Sequence, residues 1–362
     1  MEPATPENDN DTGHSETILP NMLIQADSIV TIRREQTTVF ITATIGTELQ
    51  IRDTIDIKDG NAAVFCGNEA LWSETPHELK NPRDGVPCLE GRPPRPVPDV
   101  SGLRGDIEEV EEFDLIDIPY ILSPRSGFVS TKRPTLRWHV IPDVETYTVT
   151  LWSDDGKERP PIIATGGELA YPEEWPPIEG NGAVYELIVI GGEQRSDIEN
   201  SDRFSLLDSS DVQELQEKAD LLHELPLPNP ALNILLAKLY LHDEYNLRSE
   251  AIDIILMTPQ SEEFVAIQQL LGETYTHMGL LIEAEDSFMR VIQLAEVQKF
   301  AEFTATGEDW LGVVYCLLEK PTLAESHWEK ALEAYELLEM DSSIETVSQK
   351  LDEVNSLCQL EE

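Results

Sequence analysis

The sequence predicts a multidomain chain in which an all-β N-terminal part, a small β-module plus a β-sandwich, is followed by an all-α stack of helical hairpins. Up to residue 207, short β-branched segments alternate in polarity and are separated by turn residues, which is the pattern of strands. From residue 208 to residue 362, apolar residues recur with the spacing of amphipathic helices. Glycine, alanine and aromatic residues are also repeated there at fixed spacing, which predicts stacked helical hairpins.

The charge balance of the chain is strongly acidic. Its 362 residues include 25 Lys and Arg against 70 Asp and Glu, a formal net charge of −45. Nucleic acids and anionic membrane surfaces require a basic protein surface, so we predict no nucleic acid as a partner. The acidity is spread along the chain, and two interpretations stay open. The host's proteins are acidic in general, or the surface attracts a basic partner.

The N-terminal segment, residues 1–20, is predicted to be a disordered acidic tail because it is polar and poor in apolar residues. It lacks the basic and apolar regions of a signal peptide. No stretch of the chain reaches the roughly 18 apolar residues that span a bilayer. We therefore expect a soluble protein without a membrane span, cytoplasmic by default and periplasmic or envelope-associated if the start is truncated.

Residues 21–90 are predicted to form the small β-module. One recognisable sequence pattern consists of residues 46–49 (GTEL), 53–55 (DTI) and 64–67 (VFCG). It resembles the small β-module of FecR-like proteins, in which such a segment precedes a strand and a turn. The candidate strands cover residues 29–32, 38–41, 49–51 and 62–66.

Residues 91–118 are predicted to be a linker. Its first part, residues 91–98 (GRPPRPVP), is proline-rich and should be stiff and extended. An acidic run with scattered apolar residues follows at residues 106–117. This run is either a solvated tether or a docking peptide for a basic groove.

Residues 119–207 are predicted to form one β-sandwich, since short strand patterns follow one another with turn signals between them. The order of Trp138, Tyr147, Tyr185 and Phe204 within those patterns resembles an immunoglobulin-like or fibronectin type III domain. The resemblance implies that Trp138 fills the core between the sheets and that the hydroxyl of Tyr185 anchors a loop. The candidate strands cover residues 120–122, 135–138, 147–152, 162–164, 184–189 and 203–206.

The helical region contains a spaced pattern that occurs twice. A glycine is followed by a tyrosine 3 residues later, an alanine 12 residues later and a bulky aromatic residue 16 residues later. Small residues at such positions let two helices cross closely, and large ones fill the gaps between helix pairs. The two sets are Gly272, Tyr275, Ala284 and Phe288, and Gly312, Tyr315, Ala324 and Trp328.

This pattern resembles tetratricopeptide repeats, which are 34-residue helix–turn–helix units. A weaker unit precedes the two clear ones, with Ala237 at the glycine position. A final helix at about residues 342–357 is expected to cap the stack. The distance from Gly272 to Gly312 is 40 residues, which we attribute to a longer second helix and a loop at residues 304–308. The order of modules is similar to that of repeat proteins of cyanobacteria.

In tetratricopeptide repeats, first-helix side chains line a concave groove that binds segments of a partner. The carboxylate clamp of some members is absent from this sequence, where only Lys238 could contribute to one. Glu273 and Asp309 suit a basic or amphipathic segment of a partner protein. Alternatively, these side chains only face water. The candidate partner-binding residues are Lys238, Gln269, Glu273, Thr276, Asp309 and Val313, and further groove positions are Ala231, Ile234, Leu241, Ala266, Thr306 and Cys316.

The chain has four cysteines. Cys66 and Cys88 bracket one small segment and could form a disulfide in an oxidising compartment. Cys316 and Cys358 lie in helical patterns, and we expect both to be buried thiols. No pair has the CxxC spacing of a zinc site.

The functional prediction follows from these modules. The sequence has no P-loop, no nucleophile elbow, no HExxH motif and no dinucleotide-binding glycine motif, so we predict no catalytic activity and no cofactor. We predict a non-catalytic scaffold or adaptor that binds a protein partner through the C-terminal helices. The alternative is an envelope-associated sensor or surface-polymer-binding protein that acts through the β-modules. An enzyme with an unrecognised site is a third hypothesis.

Overall fold

Strands occupy the described chain up to residue 206 and helices follow from residue 209, which confirms the predicted fold class. The computed structural model describes residues 19–58, 60–68, 77–79, 84–88, 96–98, 100, 103, 117–180, 182–196 and 203–358. The tail predicted for residues 1–20 lies outside these ranges except for its last two residues. Most of the predicted linker, residues 91–118, also lies outside them, including most of its acidic run.

The β-module consists of two antiparallel sheets with strand orders β4-β1-β6-β7 and β3-β2-β5-β8. In β2, Val30 and Ile32 are buried while Thr31 and Arg33 are half-buried. This alternation turns one face of the strand towards the core. The strands are β1 (Asn21–Ala26), β2 (Val30–Arg33), β3 (Ile41–Ala43), β4 (Glu48–Leu49), β5 (Thr54–Ile57), β6 (Ala62–Phe65), β7 (His77–Leu79) and β8 (Asp84–Gly85).

The β-sandwich packs a sheet of order β10-β17-β15-β12-β13, with β16 paired to β15, against a sheet of order β14-β11-β9. The pair β10–β17 is parallel and the other pairs are antiparallel. The strands are β9 (Ile121–Ser123), β10 (Gly127–Val129), β11 (Leu136–Trp138), β12 (Thr146–Ser153), β13 (Ile162–Thr165), β14 (Glu168–Leu169), β15 (Val184–Gly191), β16 (Gln194–Arg195) and β17 (Arg203–Leu206).

Trp138 and Tyr185 have structural positions in the sandwich. Trp138 is 1% exposed, and its ring lies 5.7 Å from that of Tyr147 in the core. The amide of Glu179 donates a hydrogen bond of 2.8 Å to the hydroxyl of Tyr185. Tyr185 therefore anchors the segment before β15, as predicted.

The helical part is a series of hairpins. The helices α2 and α3 form one pair, α4 and α5 the next, and α6 and α7 the third, while α8 and α9 pack on the last pair. The helices are α1 (Ser209–Glu224), α2 (Asn229–Tyr240), α3 (Arg248–Leu256), α4 (Val265–His277), α5 (Leu281–Gln298), α6 (Ala301–Leu317), α7 (Pro321–Leu337), α8 (Asp341–Asp352) and α9 (Val354–Cys358).

The repeated glycines lie where the two helices of a hairpin cross. A Cβ atom added at Gly272 would lie 2.7 Å from the ring of Phe288, and one added at Gly312 would collide with the indole of Trp328. This confirms the interpretation of the spaced pattern. The prediction of a loop at residues 304–308 is wrong, because α6 includes those residues. The helix break is at Lys299, whose φ of 61° ends α5 in the left-handed conformation.

All four cysteines are paired in disulfides. Cys66 is bonded to Cys88 within the β-module, and Cys316 of α6 is bonded to Cys358 of α9. The prediction that Cys316 and Cys358 are buried thiols is therefore wrong, because their sulfur atoms form a disulfide. A helical pattern predicts that a cysteine is buried but not which residue covers it, and here α9 brings the second cysteine onto α6.

Candidate functional site

The β-module lies against the side of the stack formed by α2, α4 and α6, which we call the groove face. At one end, Lys238 of α2 donates a hydrogen bond of 2.6 Å to Glu48. At the other end, the amide of Thr38 donates a 2.6 Å bond to Glu339, just after α7. The β-module thus spans the stack from its first hairpin to its last.

Tight packing accompanies these polar contacts. A Cβ atom added at Gly46 would collide with the Cβ of Ala266 on α4. Gly46 has a φ of 92°, so the turn before β4 needs a glycine both for its conformation and for this close approach. Buried residues of the β-module and of α5 to α9 also belong to one continuous hydrophobic cluster.

Arg34 is the central polar contact between the β-module and the groove face. Its guanidinium donates to Asp53 within the β-module at 2.5 Å and to Glu302 of α6 at 2.8 Å, and it also donates to the backbone oxygen of Glu48 at 2.9 Å. Burial opposes the charge, but Glu302 and Asp53 outweigh that effect and raise the pKa of Arg34 above its usual value. Arg34 therefore stays charged and links the two parts.

A cavity of about 380 Å³ remains between the β-module and the groove face. The turn at residues 46–48 forms one wall, and side chains of α2, α4 and α6 form the other. Pro96 and Pro98, from the described part of the predicted linker, also line it. Among the residues that the structure describes, the charged side chains of its lining are the carboxylates of Glu48, Asp243, Glu273 and Glu302 and the cations Arg34, Lys238 and Arg248.

Lys238, Gln269 and Glu273 lie together in the lining of this cavity, as their predicted groove positions imply. Lys238 was the one candidate for a carboxylate clamp, and it binds the carboxylate of Glu48. The groove face therefore binds a carboxylate of its own chain. Other predicted groove positions in the lining are Ile234, Leu241, Ala266 and Thr306.

Thr276, Asp309 and Val313 do not line the cavity. All three are buried, so their predicted exposure to a partner or to water is not seen. The hydroxyl of Thr276 donates to the backbone oxygen of Gly272 at 2.8 Å. Asp309 accepts a hydrogen bond of 3.0 Å from Lys350 of α8. Neighbouring parts of the protein bury these three residues. The spacing of the repeats alone did not predict that burial.

Sequence reasoning missed Arg34, Glu302 and Trp310. Arg34 and Glu302 are 268 residues apart, and no local pattern signals their pairing. Trp310 lies one helical turn after Thr306, which was among the groove positions. Its ring stacks on Phe288 at 5.3 Å and meets the edge of His277 at 6.1 Å. A search for aromatic residues one turn from the groove positions would have found it.

The β-sandwich contacts another part of the stack. Arg125 donates to the backbone oxygen of Met278 at 2.7 Å, the amide of Ser130 donates to Glu250 at 2.8 Å, and the hydroxyl of Tyr120 donates to Glu283 at 2.6 Å. Burial raises the pKa of Glu250, and the hydrogen bonds from Ser130 oppose that shift. The helical stack is therefore in direct contact with both the β-module and the β-sandwich.

Other kinds of site were sought in the part of the chain that the structure describes. There, no group of three or more His, Cys, Asp and Glu side chains is placed to hold a metal ion. None of the described helices is long and apolar enough to cross a membrane.

No protein-family model matches this chain, and no curated protein matches it.

Proposed function

We propose that this chain is a non-catalytic protein–protein interaction scaffold in which the β-module and the helical stack form one binding unit. The observation that carries the proposal is the position of the β-module along the stack, from Lys238 of α2 to Glu339 after α7. Because the chain's own module occupies that face, a partner reaches it through the cavity that remains. The helices alone are not the binding unit.

The proposed partner is a protein with a basic or amphipathic surface. The net charge of −45 steers cationic partners towards the protein and raises their association rate. The described part of the cavity lining includes the carboxylates of Glu48, Asp243, Glu273 and Glu302, which suits a partner with basic groups. The helical stack, on which both the β-module and the β-sandwich pack, would support this site.

Partner capture by the full-length chain tests the proposal. Gln269→Trp places an indole in the cavity and should abolish capture from the native host, as read by crosslinking mass spectrometry. Gln293→Trp puts the same side chain on an exposed position of α5 and should capture the wild-type set of partners. The proposal fails if Gln269→Trp captures the same proteins at the same sites.

An envelope-associated protein acting through the β-modules is a second candidate. The pairing of all four cysteines favours it, since disulfides persist mainly in oxidising compartments. Because all four cysteines are buried, the test is acid quenching of the cells, alkylation of thiols under denaturing conditions without a reductant, and mass measurement of the protein. An unlabelled chain supports the envelope location, and a chain labelled at four cysteines contradicts it.

A further inference from the structure

We propose that the seam between the β-sandwich and α3 is a pH-responsive contact, in which a proton on Glu250 tightens the docking of the sandwich on the helices. The seam is the region where β10 and the residue after it meet the start of α3. The inference concerns how two modules are held together, and it does not depend on the scaffold function.

The backbones of the two modules approach each other closely at this seam. The amide of Phe128 in β10 donates a hydrogen bond of 3.2 Å to the backbone oxygen of Asn246. A Cβ atom added at Gly127 would lie 2.6 Å from that oxygen, so glycine permits the approach. Just after β10, the amide of Ser130 donates to Glu250 Oε1 at 2.8 Å, and its hydroxyl donates to the same oxygen at 3.3 Å. One residue of the sandwich therefore holds Glu250 with two donors.

The other oxygen of this carboxyl group has no such donor. Oε2 of Glu250 is buried and accepts no hydrogen bond from a described residue. Leaving a buried charged oxygen unpaired is costly. A proton on Oε2 removes the charge and leaves both hydrogen bonds from Ser130 to Oε1 in place. Burial raises the pKa of Glu250, which agrees with this geometry.

The charged groups of α3 and the sandwich near Glu250 do not compensate its charge. Asp253, one helical turn later, has the same charge and also raises the pKa of Glu250. Arg137 of β11 is the cation that the sandwich brings to this part of α3, and it pairs with Asp253 and Glu168. Protonation of Glu250 therefore relieves its repulsion from Asp253 without breaking an ion pair.

The groups on the other helices packed against α3 are also accounted for. Arg248, at the start of α3, donates to the backbone oxygen of His277 on α4 at 2.6 Å. Tyr240 of α2 faces Glu250, and burial raises its pKa above the usual value. Tyr275 of α4 faces Asp253, and burial raises its pKa to about 12. Both tyrosines stay neutral in the range where a carboxyl group titrates.

The direction of the pH effect follows from the burial of Glu250. When the seam opens, water reaches the carboxyl group and its pKa returns towards the ordinary 4.5. The docked state thus binds the proton more tightly than the open state. Docking is strongest below the open-state pKa and weakens as pH rises through the docked pKa. Because the sandwich has a hydrophobic core of its own, the seam can open while the sandwich stays folded.

Amide hydrogen exchange of the full-length protein between about pH 4 and pH 8 tests this inference. The readouts are the protection factors of Phe128 and Ser130, whose amides donate across the seam. Protection factors are corrected for the intrinsic pH dependence of exchange. Protection in the wild type should fall with rising pH, by up to about tenfold for each unit that separates the docked pKa from the open-state pKa.

Two variants make the test specific. Glu250→Gln offers Ser130 the same oxygen without a charge, so protection at the seam should no longer depend on pH. Glu296→Gln makes the same charge change at an exposed position of α5 and should keep the wild-type fall. The inference is overturned if protection in the wild type is independent of pH, or if Glu250→Gln shows the same fall. An equal fall at the amides of β12 also overturns it, since the sandwich itself would then unfold.

A second measurement does not depend on a variant's folding. The carboxyl carbon of Glu250 in the wild-type protein is labelled with carbon-13 and assigned through its bonds to the backbone. Its chemical shift should titrate with a midpoint above the ordinary value of 4.5. A midpoint at or below that value contradicts the inference. Neither measurement involves partner capture, so this inference and the scaffold function can fail separately.

Discussion

At the scale of single residues, the two helices of a hairpin approach each other closely because glycine, which has no side chain, lies where they cross. Gly312 of α6 lies against the indole of Trp328 on α7, and Gly272 of α4 lies against the ring of Phe288 on α5. Both aromatic side chains are fully buried. The aromatic ring thus takes the space that a Cβ atom would occupy.

Gly312→Ala is expected to destabilise the protein. The overpacking cost, roughly 1–3 kcal/mol and occasionally more, should exceed the gain in helix propensity of about 1 kcal/mol. The midpoint of urea unfolding should fall. Gly85→Ala is the control, because a Cβ atom there meets nothing within 4 Å. Equal midpoints for the two variants would contradict the role of Gly312.

The buried pair of Asp309 and Lys350 gives a pH-dependent prediction. Both side chains are 3% exposed, with 3.0 Å between Oδ1 and Nζ. Lys350→Met leaves the carboxylate unpaired, which should cost about 3–5 kcal/mol near pH 7. Burial raises the pKa of Asp309, against the effect of Lys350, so the folded state binds the proton more tightly than the unfolded state. The cost should therefore shrink as pH falls through the folded pKa.

Unfolding curves of wild type and Lys350→Met between about pH 5 and pH 8 measure this effect. The double variant Lys350→Met/Asp309→Leu removes both charges and should recover most of the lost stability, since an apolar pair can replace a buried ion pair. A loss that is independent of pH, or a double variant as unstable as the single one, would rule out the unpaired carboxylate as the cause.

At the scale of elements, α8 and α9 close the end of the stack. Val347 and Val354 are buried, and the disulfide between Cys316 and Cys358 ties α9 to α6 across a separation of 42 residues. The end helices are therefore held by apolar packing, by the disulfide and by the pair between Asp309 and Lys350.

Removal of this disulfide is expected to loosen the end helices. The double variant Cys316→Ala/Cys358→Ala should lose about 2–4 kcal/mol, because the unfolded chain regains the entropy of an open loop. Amide exchange should accelerate most within residues 341–358. Cys66→Ala/Cys88→Ala is the matched comparison and should affect the β-module instead. Unchanged exchange at residues 341–358 in the first variant would contradict the proposed tie.

The types of these elements were predictable because the signals are local. The alternation of buried and half-buried residues at 30–33 indicates which face of the strand is buried. The fixed spacing from each glycine does the same for the helices. What covers that face is not local information. Hence the spacing of the repeats placed Lys238, Gln269 and Glu273 on one face, where they line one cavity. It did not predict that the β-module lies opposite them. It also failed for Asp309, which α8 covers.

At the scale of the whole molecule, long-range ion pairs hold the modules together. Glu302→Gln removes the charge that joins α6 to Arg34 and keeps the bond between Arg34 and Asp53. The free energy with which the β-module docks on the helices should become less favourable by about 1–2 kcal/mol, because a neutral amide replaces the charged acceptor of this hydrogen bond. Limited proteolysis should then cut the β-module faster, with the sandwich unaffected. Glu296→Gln is the control, and equal cleavage in both variants would disprove the link.

The net charge of −45 predicts a stability that depends on salt. Repulsion among carboxylates destabilises the folded state, and salt screens exposed charges more than partly buried pairs. Raising the salt from about 0.02 to about 0.5 M should raise the melting temperature in scanning calorimetry. Choline chloride should act like sodium chloride if screening is the cause. A melting temperature that falls with salt would show that attractive pairs outweigh the repulsion.

The contacts of the β-module also set an order of events during synthesis. Thr38 meets Glu339, which lies 301 residues later in the chain. At roughly 5–20 residues per second, the ribosome needs about 15 to 60 s to produce that partner after the module has emerged. Throughout that interval the end of the module's docking surface at Thr38 lacks its partner, while the helices from Ser209 onwards are still being completed. The β-module is therefore translated well before the last of the contacts that surround it, and a chaperone that protects it would act on the nascent chain.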